Sequence, residues 1–417
     1  MIILHDNMQM SVQLQVLKRY KYLRFVGMKE YKLKELFDLQ MGKTPSRNNV
    51  DYWNDPVYKW ISIGDLSKSG KYISETKEYL SEKAVVESGI SIIPENTVIM
   101  SFKLSIGKTA ITSEPMYSNE AIMSFRDRHL TELMPDYIYY LLLSKDWEAG
   151  TNKAVMGKTL NKATLSEIVV GIHDIANQKI IVSTLDKLGT IIEERKIELQ
   201  KLDELIKARF VEMFGDPYSN SKKWKTLSFK EAGEKLSDGP FGSNLKSEHY
   251  TDAGVRVIRL GNIGVHQFID NDKSYISEEH YKKLSKYTCR AGEIVIATLG
   301  EPNLRACLVP KDICKAIHKA DCVHYIPKRE ILNNDFVCQY VNCPETLLLA
   351  QGMIHGQTRS RVSSSQIAQM PIFIPPLEMQ IEFSDFVKQV DKSKSAVRKS
   401  LDEAQLLFDS LMQLYFG

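Results

Sequence analysis

The chain has 417 residues, 43% of them hydrophobic and 26% charged, which is ordinary for a soluble globular protein and enough for two or three domains. Its 55 basic and 52 acidic residues leave a formal charge of +3, so no global positive field marks a nucleic-acid binder, and an anionic partner has to be held by local clusters. The opening lacks a basic and apolar leader pattern and no run reaches about eighteen apolar residues, so a cytoplasmic protein without a membrane span is expected.

Residues 1–27, with "QLQVLKRYKYLRF", are expected to be a helical extension or an upstream start before Met28. Beyond them, Gly-Lys-Thr occurs three times, from Gly42, Gly107 and Gly157, as at the end of a phosphate-binding loop. Such a loop needs another glycine five positions earlier to wrap the phosphate in backbone N–H groups, and those positions hold Phe37, Phe102 and Asn152. Nucleotide binding of that kind is excluded.

A second copy of the same text explains the glycines better. "KWISIGDLS" from Lys59 resembles "VRVIRLGNIG" from Val255, "NTVIMS" from Asn96 lies over "EIVIAT" from Glu293, and "GKTLNKATLSEI" from Gly157 lies over "GQTRSRVSSSQI" from Gly356, always in the same order. Each half closes on Phe-Gly, at Phe214-Gly215 and Phe416-Gly417, so the chain is two copies of roughly 200 residues. Capping boxes are expected at Thr164-x-x-Glu167 and Ser363-x-x-Gln366, each opening a short helix.

Each copy has a strand-rich part, 28–173 and 217–373, with short apolar runs broken by turn signals such as "SDGPFGS". Each then has a long helical part, 174–216 and 374–417. Leu188, Ile192, Arg195, Leu199, Leu202, Ile206, Arg209 and Met213 alternate at spacings of three and four, as do Val387, Val390, Lys394, Val397, Leu401, Ala404, Phe408, Leu411 and Tyr415. Two heptad seams in one chain are expected to cover each other, with Arg195, Arg209 and Lys394 setting register or snorkelling at the edge.

The six cysteines fall between Cys289 and Cys343 at spacings foreign to zinc sites and read as reduced thiols. No methyltransferase loop, His-Glu-x-x-His helix or Gly-x-Ser-x-Gly turn is present, and Pro375-Pro376 lies between Ile374 and Leu377. What the strand-rich parts do carry is cationic and planar donors on glycine-marked loops. Arginine reads guanine and glutamine reads adenine bidentately in the major groove, while serine, threonine and lysine suit phosphates. In the first copy the candidate DNA contacts are Lys43, Thr44, Ser46 and Arg47, then Lys103, Ser105 and Lys108, then Lys158, Thr159, Asn161 and Lys162. In the second they are Phe241, Ser243, Asn244 and Lys246, then Arg259 and Asn262, then Asn303 and Arg305, then Gln357, Thr358, Arg359 and Arg361. The glycines of "QMGKTPSRNN" and "SDGPFGSNLK" are expected to let backbone approach a ligand closely.

With this plan and "LSDGPFGSNLKSEHY", "GVRVIRLGNIG", "TLGEPNLRACLVP" and "QTRSRVSSSQIAQMPIFIPPLEMQ", the sequence resembles, from about Tyr31 to Gly417, a specificity subunit of a type I restriction-modification system. The resemblance implies an α+β fold of two similar mixed α/β target-recognition domains separated by two long antiparallel coiled-coil helices, an internal two-fold pseudo-repeat. It also implies a non-catalytic subunit that reads a bipartite, asymmetric site in double-stranded DNA and docks two methyltransferase subunits and restriction-translocase subunits. S-adenosylmethionine, ATP and Mg belong to those partners, with no cofactor or metal in this chain. A coiled-coil interaction adaptor without DNA specificity is the alternative, and a fused enzyme would need a cofactor or metal motif.

Overall fold

A computed structural model describes residues 28–103, 105–147, 160–351 and 361–417. The expectations for residues 1–27 and for Lys158, Thr159, Gln357, Thr358 and Arg359 lie outside these residues, as does the side chain of Ser243. The described residues form two compact units, one of those up to 194 together with 400–417 and the other of those within 195–399.

In the first unit, strand β1 (Lys29–Lys32) opens a series continued by β2 (Phe37–Met41), β3 (Tyr58–Ile61), β4 (Tyr72–Ile73), β5 (Glu78–Leu80), β6 (Val98–Ser101), β7 (Thr109–Thr112), β8 (Tyr117–Ser118), β9 (Ile122–Asp127) and β10 (Val169–Ile172). The main sheet runs β2-β9-β6-β7-β4, a smaller one runs β5-β3-β8, and β1 pairs with β10. Helix α1 (Pro135–Leu143) covers one face of the main sheet. The second unit holds β11 (Thr226–Ser228), β12 (Gly233–Asp238), β13 (Tyr250–Thr251), β14 (Val255–Ile258), β15 (Ser274–Ile276), β16 (Thr288–Cys289), β17 (Ile294–Ala297), β18 (Arg305–Leu308), β19 (Ala316–His318), β20 (Cys322–Pro327) and β21 (Pro371–Phe373). Its sheets run β12-β20-β17-β18 and β13-β15-β14-β19-β16, with β11 paired to β21.

The unbroken apolar text of β6 and β17 follows from burial on both faces, since successive side chains of a strand point to opposite sides. Ile294 and Ile296 enter the core shared with the helices, whereas Val295 and Ala297 enter a second core behind the sheet. Val98 and Met100 are divided from Ile99 in the same way. Cys289, Cys307, Cys322, Cys338 and Cys343 are buried and free, and burial pushes the Cys307 and Cys322 thiols up to about 12. Among the described residues no cluster suits a metal ion, and no helix is long and apolar enough to cross a membrane.

Two short helices correspond, α2 (Lys162–Ser166) and α5 (Ser364–Gln369), as do the sheet-covering α1 and α4 (Asn334–Asn342) and the long α3 (Ile175–Phe214) and α6 (Leu377–Phe416). The cap of α5 is the expected Ser363–Gln366 box. That of α2 starts three residues before the expected one. Asn161 accepts from the Thr164 N–H at 2.9 Å, while Glu167 instead pairs with Lys32 and Lys34.

The seams on the long helices are covered along their length. Leu411 and Tyr415 join Leu185 in the core of the first unit, and Val390 joins Ile206 and Met213 in that of the second. Within the second unit Lys394 Nζ meets Asp203 at 2.5 Å and Arg209 meets Glu382 at 2.8 Å, so the two segments run antiparallel there. Arg195 pairs with Glu198, on its own helix.

A buried glutamine fixes the start of each long helix. Gln178 Oε1 accepts from the Met134 N–H, and its Nε2 donates to the carbonyls of Glu132 and His173. Gln380 repeats the arrangement with the Asn333 N–H and the carbonyls of Ile331 and Pro375.

Candidate nucleic-acid interface

In the second unit one end of the sheets gathers nearly every candidate loop. Antiparallel pairing places Asp238, at the end of β12, across from Val323, and Ile296, near the end of β17, across from the same residue. Ala297 in turn faces Arg305 at the start of β18. The parallel pair β14 and β19 brings Ile258 beside His318, and the Lys319 N–H closes on the Ile258 carbonyl at 2.9 Å. Arg361 pairs with Asp321 at 3.3 Å, and the Val362 N–H donates to the Thr298 carbonyl at 3.0 Å.

The first unit repeats this end. Met41 and Met100 both lie across from Met123, Ile61 lies beside Ser118, and the Asn119 N–H donates to the Ile61 carbonyl at 3.1 Å. Glycine has the same task in both. A Cβ on Gly42 would sit 2.2 Å from the Ser118 carbonyl oxygen, and one on Gly239 would sit 2.2 Å from that of His318. The close approach expected of these glycines is therefore made to the chain's own backbone, and this accounts for the Gly-Lys-Thr at Gly42.

Of the expected contacts, Phe241, Asn244 and Lys246 stand exposed at this end, Phe241 with half its surface open, and Arg259 is half-buried. In the first unit Lys43, Ser46, Ser105 and Lys108 are exposed and Lys103 is half-buried beside the Phe102 ring. Thr44 donates to Glu120, and exposed Lys162 follows the capping Asn161. The Arg47 fork is taken by Glu78 at 2.5 and 3.1 Å and lies over the Trp53 ring at 3.8 Å, so its two terminal nitrogens are already engaged.

Three residues expected at DNA are turned inward instead. Arg305 donates to the carbonyls of Ile263, Leu260, Leu299 and Pro302, which ties the loop after β14 to the β17–β18 loop. Asn262 is fully buried, accepts from the Arg259 N–H at 2.9 Å and donates to the carbonyls of Ile269 and Asp272. Asn303 is buried too. Loop carbonyls without a sheet partner must find donors, and planar multi-donor side chains supply several at once. Sequence reasoning missed Asp321, whose carbonyl accepts from both the N–H and the hydroxyl of Thr298. Beneath the loop after β12, buried His318 contacts the carbonyls of Tyr287 and Ser237, and burial holds its pKa down at about 4.

The chain that carries these two ends is similar to known proteins over most of its length. Residues 26–201 fit the type I restriction modification DNA specificity domain. The MjaIX specificity subunit of Methanocaldococcus jannaschii is 23% identical over 93% of this chain and 92% of its own length, and the EcoR124I/EcoR124II specificity subunit of Escherichia coli is 24% identical over 38% of this chain and 42% of its own. Residues 26–201 thus match a type I DNA specificity domain, and nearly the whole chain is similar to type I specificity subunits. A type I system S subunit from M. genitalium shares the fold at TM-score 0.55, 14% identity and 94% coverage of this chain and 97% of that one. A chain from a study of type I complex assembly and conformational transition does so at 0.57, with 14% identity over 94% of this chain and 98% of that one. These similarities support DNA target recognition, as a non-catalytic specificity subunit, for this chain.

Proposed function

We propose that the two sheet ends read two different half-sites of an asymmetric, bipartite sequence in double-stranded DNA. The observation that carries this reading is the repetition of one loop-bearing end, built on the same glycine contact and backbone bonds, with different exposed side chains in the two units. A common scaffold with unlike donors suits two readings of unlike bases. The long helices, whose outer faces stay charged, dock two methyltransferase subunits, and restriction-translocase subunits join them in the cytoplasm. S-adenosylmethionine, ATP and Mg act in those partners.

Mapping methylated adenines in cells carrying the complete system tests the proposal. Two unequal specific blocks separated by unspecified bases are expected, and exchange of 217–370 for that of a relative should change one block alone. A continuous or palindromic site would overturn it. The interaction-adaptor alternative predicts no sequence preference and no salt-dependent shift of DNA by the chain with its methyltransferase.

A further inference from the structure

We propose that Asp272 is a positioning residue that aims Arg259 at a guanine in the half-site read by the second unit. This rests on the DNA-reading function proposed above. Arg259 directly follows β14, at the loop-bearing end, and its guanidinium meets Asp272 Oδ2 through Nη1 at 2.8 Å, with Ser274 Oγ at 3.4 Å.

Both partners of this ion pair are held from inside the protein. Asn262 takes the Arg259 N–H with its oxygen and the Asp272 carbonyl with its nitrogen, at 2.9 Å each. Buried Arg256 donates at 2.8 Å to that same carbonyl and to the Asp270 carboxylate. The backbones of residues 259 and 272 thus belong to one rigid frame. Because the carboxylate grips Nη1, the direction of the guanidinium is fixed while its Nη2 and Nε edge is left for a ligand.

Charge decides which ligand. Asp272 cancels the charge of Arg259 and would itself repel a phosphate, so the pair is a poor backbone clamp. Guanine O6 and N7 are neutral acceptors, and a fork held in a fixed direction is what their bidentate recognition needs. The equivalent place in the first unit holds Ser62, with Asp65 in the role of Asn262 at 2.9 Å, so the effect belongs to one half-site.

The test is sequence selection from randomised DNA by the full chain with its methyltransferase subunits. D272N retains the shape and main-chain bonds of residue 272 but removes the negative charge that holds the arginine. It should reduce discrimination at one G·C pair of one half-site by about tenfold. Binding to DNA without the site should be unchanged or stronger, since a negative charge is lost. R259K, which leaves the 269–272 turn untouched and keeps the charge, should relax the same base pair and no other. Equal weakening on all sequences by D272N, or unchanged selection by either variant, would overturn the assignment of Asp272. An absence of any sequence preference in the unaltered complex would overturn the DNA-reading function itself.

Discussion

Replacing Gln380 by Ala removes three hydrogen bonds at a fully buried position, from the Asn333 N–H at 2.8 Å and to the carbonyls of Ile331 at 2.9 Å and Pro375 at 2.8 Å. Each such bond contributes about 1 kcal/mol net, so Q380A should destabilise the second unit by about 3 kcal/mol. Gln178 makes the matching set at 3.0, 3.0 and 2.8 Å, so Q178A should cost the first unit nearly the same. Q380E keeps the acceptor but turns a carboxylate oxygen on two carbonyls, and should be worse than Q380A. Urea titration read by hydrogen exchange of separate peptides assigns each loss to its unit, with residues 331–343 reporting on Gln380 and 132–143 on Gln178. A loss below about 1 kcal/mol in Q380A, or a Q380E variant more stable than Q380A, would refute the clamp.

G239A should destabilise the β12 end and weaken sequence-specific binding, because its Cβ would sit 2.2 Å from the His318 oxygen, and G42A should do the same in the first unit. Thermal melts and DNA titrations check both, and wild-type values would show that the contact relaxes freely. Acid should destabilise the second unit through His318. The unfolded side chain takes a proton near pH 6.5 and the folded one only near 4, so stability is complete above about 6.5 and falls as the pH drops toward 4. The slope from this histidine reaches about 1.4 kcal/mol per pH unit, and a flat urea midpoint for second-unit peptides between pH 6.5 and 4.5 would contradict it. K394M should alter stability modestly, because Lys394 is buried but its partner Asp203 is largely exposed, and a loss far above about 1 kcal/mol in a urea titration would mean that the pair holds the two helices in register.

The duplication, the long helices and their seams were legible because each rests on a period or a recurrence that text preserves. The glycines were legible as constrained positions, but their contact was not, since Ser118 and His318 lie far along the chain. Side-chain direction was the main loss. Asn262 and Arg305 have the residue types of base readers, yet loops leave carbonyls to be satisfied, and only the fold shows that these two side chains turn back to do it. The cap of α2 was displaced because Asn161 and Thr164 both suit an N-cap, and the local turn chose the first. The paired glutamines stood at matching places, in "ANQKII" and "EMQIEF", but an amide within an amphipathic pattern looks like surface until its partners are known.

At each loop-bearing end the strands themselves are tied by main-chain bonds, Asn119 to Ile61 and Lys319 to Ile258, with Gly42 and Gly239 leaning on carbonyl oxygens. Main-chain bonds do not depend on the identity of the side chains above them. Exposed residues at 43–46 or 241–246 can therefore be exchanged with little penalty in folding, and a new preference can arise by point substitution before any compensating change in the core. The two units need not drift together, because each has its own copy of the frame. Substitutions that alter what is recognised should be tolerated at the tips, whereas those at the two glycines should be eliminated whatever sequence is being read.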